Sequence, residues 1–331
     1  MDAQGMNPLL SFHPDCDQQR MDSVLSAAAL WEANTPEFIL QTSGSTGAPK
    51  TFVVQRTHVW ASIQATALAF GLQPGMRTAL AMEVAGTAGR LMLWRALALG
   101  MNLQVLPVVR DPKWEGNLDF LAVVPQQAIA LTSSAYARVK TVLLGGAPLT
   151  ALQESALLSR VRGTGVLLYH GFGMTETLTH IALRRLGETT DYTCLPGVKV
   201  EQLGEALVID SPERGVHSLQ TEDAVAVHSS TSFRWLGRLD GAILSAGKKI
   251  FPASIEAALA SVYPDHPEGF AGCIPHEAWG EALVWFSVPL QEEERRKLKD
   301  AFQTFPAWRR PKECKEGPLP LTSSGKWKRR P

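Results

Sequence analysis

Cysteine is scarce in this chain, and its placement excludes more than its number. Four residues in 331 (Cys16, Cys194, Cys273 and Cys314) are scattered without the paired spacing of a disulfide framework or a metal cluster. A reducing cytoplasm is the expected home. No apolar run approaches the length needed to span a bilayer. Excess charge is missing too: 32 Lys and Arg balance 32 Asp and Glu, which argues against nucleic acid or an anionic membrane as the main partner. Only the stretch from Lys326 to Arg330 is strongly basic. The start of the chain carries Asp2, Asp15 and Asp17 and lacks the apolar core of a secretory signal. There are no internal repeats, and the eight histidines form no Ser-His-Asp or metal-binding pattern.

What remains is a globular composition, 45% hydrophobic and 19% charged. A chain this long exceeds what one core usually organises, so one large and one smaller domain are expected. Strand-like and helix-like segments alternate from Phe38 to about Val200. Expected strands are Thr51–Gln55, Thr78–Met82, Asn102–Val108, Phe120–Val124, Thr141–Leu144 and Gly165–Leu168. Helices are expected over Met21–Ala33, His58–Phe70, Thr87–Leu99 and Leu149–Val161, with the rest of residues 1–36 irregular. The alternation predicts an α/β fold with a mostly parallel sheet. Short extended pieces between Val198 and Leu244 predict an antiparallel β region. A helix over Pro252–Val262, strands near Gly272 and Leu283–Val288, and a charged helix over Glu292–Phe305 complete a small α+β unit.

The densest chemistry lies in Thr42-Ser43-Gly44-Ser45-Thr46-Gly47-Ala48-Pro49-Lys50, after the apolar run Phe38–Leu40. A strand feeding a glycine- and hydroxyl-rich loop with a lysine is how a backbone wraps a polyphosphate. Pro49 stands where a P-loop requires glycine before its lysine. Proline has no N–H and a fixed φ, so the P-loop nest cannot form. The loop reads as nucleotide-binding, though an ordinary Ser/Gly turn has the same composition.

Four further segments follow in order: Leu143-Leu144-Gly145-Gly146-Ala147-Pro148, Tyr169-His170-Gly171-Phe172-Gly173-Met174-Thr175-Glu176-Thr177, Gly237-Arg238-Leu239-Asp240-Gly241 with Ser245-Ala246-Gly247-Lys248, and Pro320-Leu321-Thr322-Ser323-Ser324-Gly325-Lys326. Together with the loop they resemble the ordered core motifs of the adenylate-forming superfamily of acyl-CoA synthetases, luciferases and peptide-synthetase adenylation domains, from about residue 38 to 330. Within it, Ala88–Leu97, Ala122–Pro125 and Gly173–Thr177 leading to His180-Ile181-Ala182 look most like a short o-succinylbenzoate–CoA ligase of menaquinone synthesis.

The resemblance implies ATP, Mg²⁺ and CoA as partners of a carboxylic acid substrate. It implies an ATP- and acid-binding domain over residues 1–238 and a mobile cap over 239–331, hinged at Asp240. Thr42, Ser43, Ser45, Thr46 and Lys50 would hold the β- and γ-phosphates. Gly145, Gly146 and Ala147 would let adenine lie on bare backbone, and Phe172, where the family has tyrosine, would stack on it. Thr175 would meet the α-phosphate and Glu176 would ligate the metal. Asp223 and Arg238 would hold the ribose, and Gly247 lies on the loop exchanged with Lys326 when the cap swings. Lys326 would offset the repulsion between carboxylate and α-phosphate.

A dicarboxylate substrate needs a cation for its second carboxylate. Arg90 is the first candidate and Arg95 the reserve, with His180 lining the pocket; a surface arginine and a core histidine are the plain alternatives. Two departures stand out. Only about forty residues precede the phosphate loop, fewer than in full-length relatives, and Ala246 replaces a glycine. The reactions compatible with the motifs are adenylation of o-succinylbenzoate followed by CoA thioester formation, the same chemistry on another aryl or acyl carboxylate, or nucleotide binding without catalysis.

Overall fold

The computed structural model describes residues 9–41, 51–320 and 327–330. Its first strand, β1 (Leu10–Phe12), lies in a stretch expected to be irregular. Helix α1 (Gln18–Glu32) begins three residues before the expected start, because the Asp17 side chain accepts the Arg20 N–H and caps it. Strands β2 (Glu37–Gln41) and β3 (Thr51–Gln55) pair antiparallel, with Gln41 opposite Thr51. The phosphate-loop residues 42–50 join these two ends and lie outside the described residues.

Next come α2 (Arg56–Phe70), β4 (Arg77–Leu80), α3 (Thr87–Ala98) and β5 (Asn102–Val105). Helix α2 stops where Gly71 takes the left-handed conformation (φ +62°) that closes its last turn. They are followed by β6 (Leu118–Val123), the short helices α4 (Pro125–Ala130) and α5 (Ser133–Tyr136), β7 (Val139–Leu144) and α6 (Ala151–Val161). Thr150 caps α6 and Gln153 reaches back to the Thr150 N–H, a closed capping box. Strand β8 (Leu167–Met174) runs six residues beyond the expected end and turns back into β9 (Thr179–Arg185). Small strands β10 (Tyr192–Cys194), β11 (Lys199–Leu203) and β12 (Ala206–Ser211) lead to the long hairpin β13 (Val216–Ser229) and β14 (Ser232–Arg238).

Twelve of these strands form one sheet in the order β1-β5-β4-β6-β7-β8-β9-β10-β14-β13-β12-β11. From β1 to β8 every pairing is parallel, and from β8 onward every pairing is antiparallel. The antiparallel region therefore starts near Thr179, earlier than expected, and continues the same sheet. In the parallel half both faces are buried. Leu80, Phe120, Ala122 and Leu143 pack under α1, α2 and α3, while Ala79, Leu121, Val123, Val142 and Leu144 pack under α4, α5 and α6. The period-2 alternation of each strand divides one continuous apolar run between two cores.

After Arg238 the chain enters a second sheet built from β15 (Ile243–Ser245), β16 (Lys248–Ile250), β17 (Gly269–His276), β18 (Gly280–Ser287) and β19 (Glu313–Glu316). Helices α7 (Pro252–Val262) and α8 (Glu292–Gln303) cover it, and Trp285, Leu259, Leu298 and Phe302 form its core. The tail residues 327–330 are fastened to this sheet. Trp327 stacks on Phe270 at 5.0 Å, and Arg329 Nη1 lies 2.5 Å from Glu256 Oε1. No helix among the described residues is long and apolar enough to cross a membrane.

Candidate active site

The loops at the carboxyl ends of β4, β7 and β8 gather at one edge of the parallel half, where open α/β sheets hold their ligands. Gly145, Gly146 and Ala147 follow β7. A side chain on Gly145 would touch nothing within 4 Å, and Gly146 has φ +85°. The loop thus presents bare backbone, as a flat base requires. Its position is fixed by His170 on β8, whose Nε2 lies 3.0 Å from the Ala147 carbonyl oxygen. His170 Nδ1 is 2.5 Å from the Tyr192 hydroxyl, and burial pushes the ring down to about 4, so it is neutral at pH 7.

Phe172 is on the same face of β8, two residues on. It meets Tyr192 and Phe233 edge-on at 5.6 and 5.1 Å and is half-buried against their core. Gly173 cannot be replaced: a Cβ there would lie 2.0 Å from the Thr179 carbonyl oxygen. This close return folds Thr175–Thr177 into a single 3-10 turn, with Leu178 left-handed (φ +66°) after it. Thr177 ties the turn by accepting the Met174 N–H and donating to Thr179 O at 2.7 Å. Thr175 Oγ1 is 3.3 Å from Thr87 Oγ1 at the start of α3, and Glu176 is exposed and makes no ion pair among the described residues. An exposed single carboxylate beside an open backbone loop fits a hard cation that keeps its phosphate and water ligands. The described residues contain no cluster of three or more His, Cys, Asp or Glu that would cage a metal without them.

Asp223 is buried on β13. Its Oδ1 accepts the Trp235 indole N–H at 2.8 Å, and its Oδ2 lies 3.8 Å from Arg238 Nη1. Burial raises its pKa above the ordinary carboxylate value, with the Trp235 hydrogen bond and Arg238 pulling the other way. Arg238 is shared: it also donates to both oxygens of Asp240, at 3.2 and 3.0 Å, which holds the Asp240 carboxyl below its usual range. The two residues expected at ribose and hinge are thus linked through one guanidinium. Gly247 has φ +73° with open space around it, and Ala246 beside it is also left-handed, φ +48°. The Ala246 N–H donates to the Trp279 carbonyl.

The acid-side residues separate sharply. The Arg90 guanidinium is engaged by backbone: Nε donates to Val84 O and Nη1 to Ile39 O, both at 2.9 Å. Arg95 is 2% exposed, with Nη1 only 3.5 Å from the Met92 sulfur and Nε without any hydrogen-bond partner among the described residues. Burial pushes it down to about 10, still charged at neutral pH. His180, on β9, is buried against α2, with Nε2 3.2 Å from Thr66 Oγ1 and Nδ1 3.3 Å from Thr179 Oγ1. Burial first, then the charges of Arg95 and Arg214, hold it neutral. Lys326, Thr42, Ser43, Ser45, Thr46 and Lys50 lie outside the described residues.

Sequence reasoning passed over His170 and Trp235, which contact the Gly145–Ala147 loop and the Asp223 carboxylate. The signal for His170 was present in the alternation that puts it on one face with Phe172. Trp235 carried none, since only the β13–β14 pairing brings it to Asp223.

Comparison with known proteins places this geometry. A 2-succinylbenzoate–CoA ligase of Listeria monocytogenes serotype 4b (strain F2365) is 26% identical, over 90% of this chain and 70% of that one. The crystal structure of an acyl-CoA synthetase (AMP-forming)/AMP-acid ligase II-like protein from Dyadobacter fermentans superposes with a TM-score of 0.62 at 28% identity, covering 96% of this chain and 94% of that chain. The o-succinylbenzoate CoA synthetase of Bacillus subtilis, solved with ATP and magnesium ion, shares the fold with a TM-score of 0.68 at 20% identity, over 88% of this chain and 68% of that one. The family model described as AMP-binding enzyme matches residues 7–236. By that match, which spans most of the large sheet and every loop at its carboxyl edge, the chain belongs to the AMP-binding enzyme family.

Proposed function

We propose that the protein activates 2-succinylbenzoate with ATP and passes the acyl group to CoA. In the first step a substrate carboxylate oxygen bonds to the α-phosphorus while the bond to pyrophosphate breaks. In the second the CoA thiol, losing its proton, bonds to the acyl carbon and AMP leaves. The observation that carries the reading is the convergence, at one sheet edge, of the open Gly145–Ala147 backbone and the exposed Glu176. A charged arginine lies buried within the same fold.

The residues divide the work. Gly145, Gly146 and Ala147 receive the base, with Phe172 beside them, and Asp223 with Arg238 receives the ribose. Thr175 meets the α-phosphate. Glu176 is the residue that would hold Mg²⁺, which when bound draws charge from the phosphates; Thr42, Ser43, Ser45, Thr46 and Lys50 are assigned to the outer phosphates. The relatives' names support 2-succinylbenzoate as the acid and CoA as the acceptor. Arg95 takes over from Arg90 as the counter-ion for the second carboxylate, because the Arg90 donors are spent on Val84 and Ile39 while Arg95 has no carboxylate partner. His180 lines that side, and its Cβ closes over Gly171. Residues 1–238 act as the nucleotide- and acid-binding domain and 239–331 as a cap hinged at Asp240, which exchanges Lys326 for the Gly247 loop between steps. Four free thiols suit a reducing cytoplasm.

Pyrophosphate release measured over a panel of carboxylic acids tests the reading. Turnover is expected with 2-succinylbenzoate, and none with any acid would reduce the protein to a nucleotide binder. Lys326→Ala should remove acyl-adenylate formation by a factor of about a thousand and largely spare CoA transfer from preformed acyl-adenylate. Equal loss of both half-reactions would overturn the swinging cap.

A further inference from the structure

A second arginine, like Arg95, is buried where its charge reaches His180, and the reaction proposed for the site leaves it without a task. Arg214 sits in the 3-10 turn Pro212–Arg214 between β12 and β13, only 4% exposed. Its Nη1 donates to Ser211 Oγ at 3.3 Å, but Nε and Nη2 have no hydrogen-bond partner among the described residues. The neighbouring acid, Glu213, is exposed and forms no ion pair with it among the described residues; its charge opposes, but does not cancel, the burial that pushes the Arg214 guanidinium down to about 10. An unpaired buried guanidinium is among the most expensive groups a fold can carry.

The surroundings show what would repay that cost. Helix α2 packs along this turn, and the His58 ring is so close to Gly215 that a Cβ there would lie 2.4 Å from it. Successive turns of α2 then place Ser62 and Thr66 in line beyond His58. Thr66 reaches His180, and Arg95 and Arg214 both bear electrostatically on that ring. Ser62 is 1% exposed and its hydroxyl is likewise unpartnered. One buried neighbourhood therefore holds spare donors on Ser62, Arg95 and Arg214, around a neutral histidine. Its position is set by β8 and β9: His180 is the cross-strand partner of Gly173, two residues before Thr175.

Donors without acceptors, two of them cationic and all of them dry, call for a compact anion. We propose that Arg214 and Ser62 form the far side of a carboxylate subsite whose near side is Arg95, so that the second carboxylate of the acid is gripped between two guanidiniums. This deepens the dicarboxylate reading above and rests on it. Two arginines make the pocket selective: a monoacid would leave both charges buried and uncompensated.

The test compares 2-succinylbenzoate with the two monoacid analogues in which one or the other carboxylate is replaced by hydrogen, following pyrophosphate release. Arg214→Met is expected to raise KM for the diacid roughly 30-fold. KM for ATP and for the productive monoacid should stay within about twofold, and Arg214→Lys should restore part of the loss. Equal change for diacid and monoacid, or an unchanged diacid KM, overturns the subsite. If Arg214→Met fails to fold, Ser62→Ala decides: a KM rise of about threefold confined to the diacid supports the proposal, and a shared or absent shift overturns it. A wild-type protein that activates a different dicarboxylate refutes the identity of the acid, and the Arg214 comparison run with that acid still decides the subsite. A wild type that activates monocarboxylates alone refutes the subsite outright.

Discussion

The two sheets hold their functional loops by different means. In the large sheet the strands feeding Gly145 and Thr175 are covered on both faces, so the loops inherit their positions from apolar cores that include Phe120, Leu143 and Leu144. In the small sheet the tail and β16 are held from outside, by the Trp327 stack on Phe270 and mostly by charge. Arg329 pairs with Glu256 and donates to the Ala271 carbonyl at 2.6 Å, Arg330 bridges Glu281 and the Ala242 carbonyl, and Lys249 reaches Glu205 in the β11–β12 turn of the large sheet. Burial fixes a loop permanently, whereas half-exposed ion pairs such as Arg330–Glu281 and Lys249–Glu205 are weak and exchange partners readily. The difference is what the proposed platform and swinging cap would require.

That contrast can be broken by experiment. Phe120→Ala, in the fully buried core, should remove about 4 kcal/mol from the unfolding free energy in urea, with little dependence on salt. Glu256→Ala should remove about 3 kcal/mol, since it leaves the partly buried Arg329 without its partner, and the loss should shrink as salt rises. Comparable salt sensitivity in both variants would erase the distinction between the sheets.

Acid sharpens the comparison next. His170 titrates near its ordinary value when unfolded and at about 4 when folded. Between those values the unfolded chain binds the extra proton, so stability is complete above pH 6.5 and falls as pH drops towards 4, by roughly 3 kcal/mol at most. Tyr192, Arg184 and Glu154 surround the ring. Urea midpoints at pH 7 and pH 5 should therefore differ clearly in the wild type and less in His170→Gln; identical slopes would mean that His170 is not the sensor.

The smallest expected effect is a gain. Ala246 holds a left-handed φ of +48° that an alanine side chain resists. Ala246→Gly should stabilise the small sheet by up to about 1 kcal/mol, offset in part by the greater freedom of glycine in the unfolded chain. A loss of melting temperature instead would show that the alanine methyl makes contacts outweighing the strain.

Much of the architecture was legible in the residues. The apolar runs of β6 and β7 and the last turn of α2 before Gly71 are local signals, and those elements form within two residues of where expected, whereas α6 starts two residues late because Thr150 caps it instead of joining it. Strand β1 was not legible: three residues gain strand character only by pairing with Leu103–Val105 at the sheet edge. Nor was the full length of β8, whose glycines discourage a strand locally but are required by the close return of Thr179 and His180.

Sequence alone determined the family, because its motifs are short runs of glycine, hydroxyl and carboxylate whose spacing is local. Tertiary structure decided which arginine is left without a counter-charge. Arg90 and Arg95 differ little as letters on one helix, yet packing gives the first two carbonyl acceptors and buries the second without a counter-charge. Partnering of that kind depends on atoms brought together from distant strands, as Trp235 beside Asp223 and Arg214 near His180 also show.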